Sequence, residues 1–234
     1  MRVVLINLTG NVGKTTLALH LLRPRLPQAP VIPVETVNIG DLPDGALPAE
    51  QFRRLTEFLA TADDAIVDVG ASNAERFFVE LARYRGAHED VERFVVPTVP
   101  DPKPLRDTLA TVAQLAGLGV PPERIHVIVN RVQAERRLSD DIAALTAFAK
   151  ATRQCIVDPD AFVRENELFA ELLPGTETVA DLVADETDLR AAIRAASDAK
   201  AKQALARRLA SRRLAAGVQA ELDRVFPSIT RDPA

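Results

Sequence analysis

The sequence predicts an α/β protein: a mostly parallel sheet flanked by helices, with a C-terminal helical extension. Three observations carry that prediction. Apolar strand-like runs alternate with segments of helical period over short connections, the pattern of parallel strands joined through helices. The first run, Val3-Val4-Leu5-Ile6, reaches a helical pattern at Leu17–Leu22 through the glycine-bearing stretch Gly10-Asn11-Val12-Gly13-Lys14-Thr15-Thr16. Beyond about residue 160 the strand signal stops, and a long segment rich in Ala, Leu and Arg follows.

Taken in order, strands are expected at Val3–Leu8, Val31–Val37, Ala65–Val69, Arg93–Val99, Ile125–Asn130 and Gln154–Val157. Helices are expected near Lys14–Leu22, Ala49–Ala60, Asn73–Tyr84, Leu105–Leu115 and Asp140–Lys150. Pro43-Asp44-Gly45 and Gly119-Val120-Pro121-Pro122 are turns by their Gly/Pro chemistry. Glu165–Leu173 reads as a helix that Pro174-Gly175 breaks, and Val179–Val183 as one more turn. Glu186–Phe226 reads as one or two long helices, with Gly217 the only interior breaker. This gives an α/β unit over residues 1–184, a helical extension over 185–226 packed on the same domain, and a tail over 227–234.

The 234 residues can bury a substantial core as one domain, and 47% hydrophobic with 26% charged residues is ordinary for a soluble protein. A net charge of -4 argues against a surface wholly given to nucleic acid. No apolar run approaches the roughly 20 residues of a membrane helix. Met1-Arg2-Val3 runs straight into a strand, so no signal peptide is expected. The single cysteine, Cys155, cannot form an internal disulfide, which suits a cytoplasmic location. Beside Ile156 and Val157 it reads as a small buried strand residue. His20, His88 and His126 are isolated and read as structural, and neither Cys/His metal spacing nor a G-x-S-x-G elbow occurs.

A strand, a tight glycine loop and a helix N-terminus form the arrangement that cradles nucleotide phosphates. Gly10 and Gly13 let backbone N–H groups close around an anion, and Asn11 and Val12 complete the loop. Lys14 brings a point charge to the β- and γ-phosphates, the Thr15 hydroxyl is placed to bind Mg²⁺, and Thr16 continues into the helix. Leu8 stands where the general pattern G-x-x-x-x-G-K-[ST] has its first glycine. In Asp63–Gly70 a strand ends in Asp68. Such a carboxylate either holds the Mg²⁺ shell, the reading favoured beside this loop, or caps a helix. Gly70 is close enough to donate its N–H toward a γ-phosphate, and Ser72 or Asn73 is expected to cap the next helix. Asn130 ends the apolar run Val127–Val129, and a turn-forming role is its plainer reading.

The helical extension carries Lys200, Lys202, Arg207, Arg208, Arg212 and Arg213, with Leu205, Leu209, Val218, Leu222 and Val225 near helical period. It reads first as a surface helix with one face on the core; contact with a partner, DNA or a membrane is the alternative.

These residues resemble the ParA/MinD-type ATPases, and more narrowly the StbB plasmid-stability proteins. The resemblance rests on Ile6-Asn-Leu-Thr-Gly-Asn-Val-Gly-Lys-Thr-Thr16, Val34-Glu-Thr-Val-Asn38, Val67-Asp-Val-Gly-Ala-Ser-Asn73 and Val96-Pro-Thr-Val-Pro100. It extends to Asp185-Glu-Thr-Asp188 and Leu205-Ala-Arg-Arg-Leu-Ala-Ser-Arg-Arg-Leu214, and so covers nearly the whole chain. The ParA/MinD loop K-G-G-x-G-K-[ST] aligns with Thr9–Thr15, departing at Thr9 and Asn11; Asn is among the residues that tolerate left-handed backbone. The resemblance implies ATP and Mg²⁺ as cofactors and an ATP-dependent face-to-face homodimer. It also implies a role in plasmid positioning or conjugative transfer beside a separately encoded DNA-binding protein. It further implies that Asn130 hydrogen-bonds the adenine edge, with Asp158-Pro159 lining the same pocket. A strand-two residue would orient the attacking water: Glu35, Asn38 and Asp41 are the candidates, and Glu35 is preferred for its place at the strand end. The family lysine at position 9 reaches a neighbour's phosphates, and Thr9 cannot supply that charge. Either an arginine substitutes from elsewhere, or hydrolysis and dimerisation are weaker.

The expected function is a switch ATPase with slow turnover, carried by Lys14, Glu35 and Asp68. The alternatives are a nucleotide-binding adaptor that hydrolyses little and, further off, a small-molecule enzyme of the dethiobiotin-synthetase kind.

Overall fold

The computed structural model describes residues 1–34, 49–133, 142–173 and 175–231. Its centre is a six-stranded sheet in the order β2-β3-β1-β4-β5-β6, with every neighbouring pair parallel. The strands are β1 (Arg2–Leu5), β2 (Val31–Val34), β3 (Ala65–Val69), β4 (Arg93–Thr98), β5 (Ile125–Val132) and β6 (Ile156–Arg164). In β1, Val4 and the following Ile6 pack into one core cluster while Val3 and Leu5 pack into another. A strand buried on both faces needs apolar residues at consecutive positions, and this is why the run carries no polar alternation.

Two helical layers cover the sheet. On one face lie α2 (Ala49–Thr61), α3 (Ala71–Arg83), α4 (Pro102–Gly117) and α5 (Ala143–Thr152), contributing Phe52, Phe77, Val112 and Leu145 to the core. On the other lie α1 (Lys14–Thr16, continuing through Leu17–Leu22), α6 (Glu167–Leu172), α7 (Val179–Ala184) and the long α9 (Ala199–Thr230). These bring Leu17, Leu168, Val179 and Leu222. Helix α8 (Leu189–Ala195) packs along α9. The first turn of α1 is α-helical, and Leu17–Leu22 is π-wound, with the Arg23 N–H donating to the Ala18 carbonyl at 2.9 Å.

Several boundaries differ from expectation. β1 stops at Leu5, because the chain turns toward α4 at Asn7. The last strand runs on to Arg164, past Asp158-Pro159, although the expected strand ends at Val157. It is an edge strand with register shifts against β5, the setting in which a proline that cannot donate to the ladder is tolerated. Gly217 does not break α9: packing of Ala215, Val218, Leu222, Val225 and Ile229 on the sheet outweighs the propensity of one glycine. Neither Ser72 nor Asn73 caps α3. Gly70 holds the cap position, and the buried Asn73 amide instead donates to the Val34 carbonyl at 3.2 Å.

Two basic residues of the helical extension are held by the protein itself. Arg208 bridges Glu177 (2.9 Å) and Asp185 (2.8 Å), and Arg212 donates to the carbonyls of Asp185 (2.6 Å) and Thr187 (2.8 Å). No helix among the described residues is long and apolar enough to cross a membrane.

Candidate functional site

The central strand β1 lies between β3 and β4: the chain runs from β1 to the β2–β3 side and crosses back from β3 to β4, so the strand order reverses beside β1 and the crevice at the strand ends opens there. The loop Gly10–Thr15 occupies this place. Its entry is pinned by Asn7, a fully buried amide. Asn7 Nδ2 donates to the Pro97 carbonyl and Thr108 Oγ1, each at 2.8 Å, and its Oδ1 accepts the Thr9 N–H at 3.0 Å. The Leu8 N–H donates to Thr111 Oγ1 at 3.2 Å, so β4 and α4 together fix where the loop begins.

Two residues set its curvature. Asn11 (φ +58) and Gly13 (φ +87) are left-handed, a conformation that Asn and Gly accept more readily than other residues. Gly13 also faces a close neighbour: a Cβ there would lie 1.9 Å from Asn130 Nδ2. Asn130 is 2% exposed; its Nδ2 donates to the Val12 carbonyl (3.0 Å) and its Oδ1 accepts the Arg131 N–H (2.9 Å). The amide at the end of β5 therefore grips the loop from below. Val12 is wholly buried and serves the loop through its backbone.

Lys14 lies beneath the loop, 7% exposed, its Nζ donating to the Thr9 (3.0 Å) and Asn7 (3.4 Å) carbonyls. Burial pushes its ammonium below the ordinary lysine value, and the Asp68 carboxylate acts in the opposite direction. Across from it, Thr15 Oγ1 donates to Asp68 Oδ2 at 2.6 Å. Parallel pairing of β1 with β3, with Leu5 opposite Asp68, brings these two together from 53 residues apart.

Gly10, Asn11, Gly13, Lys14, Thr15, Thr16, Asp68 and Gly70 line one open cavity of about 550 Å³, with Ala71, Ser72, Arg131 and Leu173. Its neighbour, about 480 Å³, shares Thr16, Arg131 and Leu173 and adds Asn130 and the segment Arg164–Glu167. The two form one groove with a loop half and a strand-end half. Gly70 reaches the loop half, although its N–H donates to the Val34 carbonyl at 3.0 Å. Asp158 and Pro159 are not among the lining residues; the bulged β6 carries the chain onward, and Arg164–Glu167 form that wall instead. Glu35, Asn38 and Asp41 lie outside the described residues.

The donor set suits a hard divalent cation. Thr15 and Asp68 offer oxygen ligands only, and no cluster of three or more His, Cys, Asp or Glu able to hold a metal occurs among the described residues. Mg²⁺ is commonly held this way, by one or two protein oxygens with the remainder from phosphate and water. The loop in turn fits a phosphate chain: glycine and left-handed backbone at the turn, Lys14 beneath it, a helix N-terminus behind it.

Motif reading missed Asn7, Arg131 and Arg164–Glu167. Asn7 had a signal, a polar residue closing a wholly apolar strand. Arg131 and the strand-end wall had none, since their role depends on which strands become neighbours.

Among solved structures, the chain aligns over its full length with 97% of an ATP complex of McdA from Cyanothece, at a TM-score of 0.53 and 14% identity. It also aligns over 91% of its length with 94% of a chain of the MinC:MinD cell division protein complex of Aquifex aeolicus, at a TM-score of 0.52 and 17% identity. This chain therefore has the fold of McdA and MinD. No protein-family model and no curated protein sequence matches it.

Proposed function

We propose that this chain is an ATP- and Mg²⁺-dependent molecular switch that hydrolyses ATP slowly. The observation that carries the reading is the Thr15–Asp68 hydrogen bond of 2.6 Å beside a glycine loop that holds a buried lysine. Thr15 and Asp68 would hold the shell of a bound Mg²⁺, which would supply neutralisation of phosphate charge. Lys14 would stabilise charge that develops on the transferred phosphoryl group. Gly10, Asn11, Val12 and Gly13 orient the phosphates through their backbone, with Thr16 behind them and Gly70 at the opposite wall. Asn130 faces the base side. Glu35 is assigned to orient the attacking water.

The StbB resemblance and the likeness of fold to McdA and MinD support a role in plasmid stability, positioning or conjugative transfer. The chain would act as a nucleotide-dependent homodimer with a separately encoded DNA-binding protein. Residues 1–184 carry the nucleotide in this reading, 185–226 form a helical extension of the same domain, and 227–234 a tail.

A second reading, an adaptor that binds nucleotide but hydrolyses little, is favoured by Thr9. That residue is 8% exposed and outside the groove lining, so it brings no cation to the loop. Steady-state ATP hydrolysis by the protein and by Lys14→Ala, with and without DNA and the DNA-binding protein, separates the two. Lys14-dependent turnover, raised by either addition, is the expected result. ATP binding without turnover in every mixture would favour the adaptor, and no ATP binding would end both readings.

A further inference from the structure

Arg131, at the end of β5, has φ +53, a left-handed conformation that a residue bearing a side chain enters only at a cost. Such strain persists where the surroundings over-determine it, and it concentrates at ligand sites. Here the surroundings are identifiable. Asn130 Oδ1 accepts the Arg131 N–H at 2.9 Å while Asn130 Nδ2 holds the Val12 carbonyl at 3.0 Å. One buried amide thus fixes the phosphate-type loop and the irregular stretch of β5 at Arg131 together. The exposed Arg131 lines both halves of the groove, as well as a smaller hollow of about 180 Å³ beside Pro100 and Gln133. Among the described residues lining the loop half, Lys14 and Arg131 are the cationic side chains and Asp68 the anionic one, and Asp68 is engaged with Thr15.

We infer that Arg131 binds the nucleotide's polyphosphate, as a second cation above the loop with Lys14 below it, and that the left-handed backbone at this irregular point of β5 aims it there. The inference rests on the nucleotide reading. A triphosphate with one divalent ion and Lys14 keeps surplus negative charge, and Asp68 adds to it. A guanidinium meets that surplus with a planar fork of donors matched to phosphate oxygens, at the junction where the chain of phosphates passes from loop to base. Strain at this one position is the structural consequence of presenting the fork.

The test is equilibrium binding of fluorescent ATP and AMP analogues, with Mg²⁺, to the protein and to Arg131→Gly, Arg131→Asn and Arg131→Lys. Glycine and asparagine accept the left-handed backbone, so both keep the local strand geometry and remove the charge. Both are expected to weaken ATP binding about tenfold while changing AMP binding little, and Arg131→Lys to recover part of the loss. The thermal midpoint of nucleotide-free Arg131→Gly is expected not to fall. Unchanged ATP affinity in both variants, or an equal loss for AMP and ATP, would overturn the assignment while leaving the nucleotide reading intact. A lowered midpoint in both variants would make Arg131 structural and also overturn it. Failure of the unaltered protein to bind ATP would defeat the nucleotide reading itself.

Discussion

Glu221 of the C-terminal helix accepts two hydrogen bonds from Arg164: its Oε1 takes the backbone N–H at 2.6 Å and its Oε2 takes Nη1 at 3.0 Å. Arg164 closes β6 and lines the strand-end half of the groove, so a helix remote in sequence holds the groove's wall. Ser211, further back on the same helix, donates to the Glu171 carboxylate of α6, whose Glu167, Phe169 and Ala170 line the same half. Glu221→Ala is expected to cost about 1–3 kcal/mol of stability, because the Arg164 N–H loses a charged acceptor. It is also expected to weaken binding of a nucleoside more than of free pyrophosphate. Denaturant unfolding and competition binding check both effects.

Gly13→Ala would place a methyl group where Asn130 Nδ2 now lies and demand a left-handed alanine at φ +87. Either the Asn130–Val12 bond breaks or the loop moves, since two heavy atoms cannot stand 1.9 Å apart. ATP binding is expected to fall by at least about tenfold, with a stability loss of about 1–3 kcal/mol from the stranded amide. Calorimetric titration with Mg-ATP reads the first, thermal unfolding the second.

His20 gives the protein an acid-sensitive joint between α1 and α7. Its ring is 1% exposed and packs on Phe169; Nδ1 accepts the Val179 N–H at 3.4 Å, and Nε2 has no hydrogen-bond partner among the described residues. Burial lowers its pKa from 6.5 to about 4, with the Asp181 carboxylate opposing the shift. Because the folded value lies below the unfolded one, the unfolded chain binds more protons between them. The stability is therefore full above pH 6.5 and is lost as pH falls, completely below about pH 4. The loss is about 3 kcal/mol at most. Melting curves from pH 4 to 7.5 are expected to show a shallower acid fall for His20→Gln than for the unaltered protein.

Gly217 lies in the interior of α9, is exposed, and has open space where a Cβ would project. Gly217→Ala is expected to stabilise the protein by about 0.5–1 kcal/mol, by restricting the unfolded chain and favouring the helix. A rise in thermal midpoint with unchanged nucleotide affinity would meet the expectation; a fall would not.

Strand and helix alternation, the glycine loop and the long helical end are local signals, written in short-range periodicity and in residues whose chemistry fits few other uses. They determined the α/β class, the place of the loop between β1 and α1, and the choice of Lys14, Thr15 and Asp68. Strand order is a different kind of quantity, because it depends on which apolar faces meet across the chain. Only the tertiary structure put Asp68 against Thr15, turned Asn130 onto Val12 beneath the loop, and carried β6 past Asp158-Pro159 to bring Arg164 to the groove. It also engaged Arg208 and Arg212 with the protein's own carboxylates and carbonyls, where composition alone left a partner open. Contacts of this kind are fixed by burial and close packing over long sequence separations, and no window of neighbouring residues contains them.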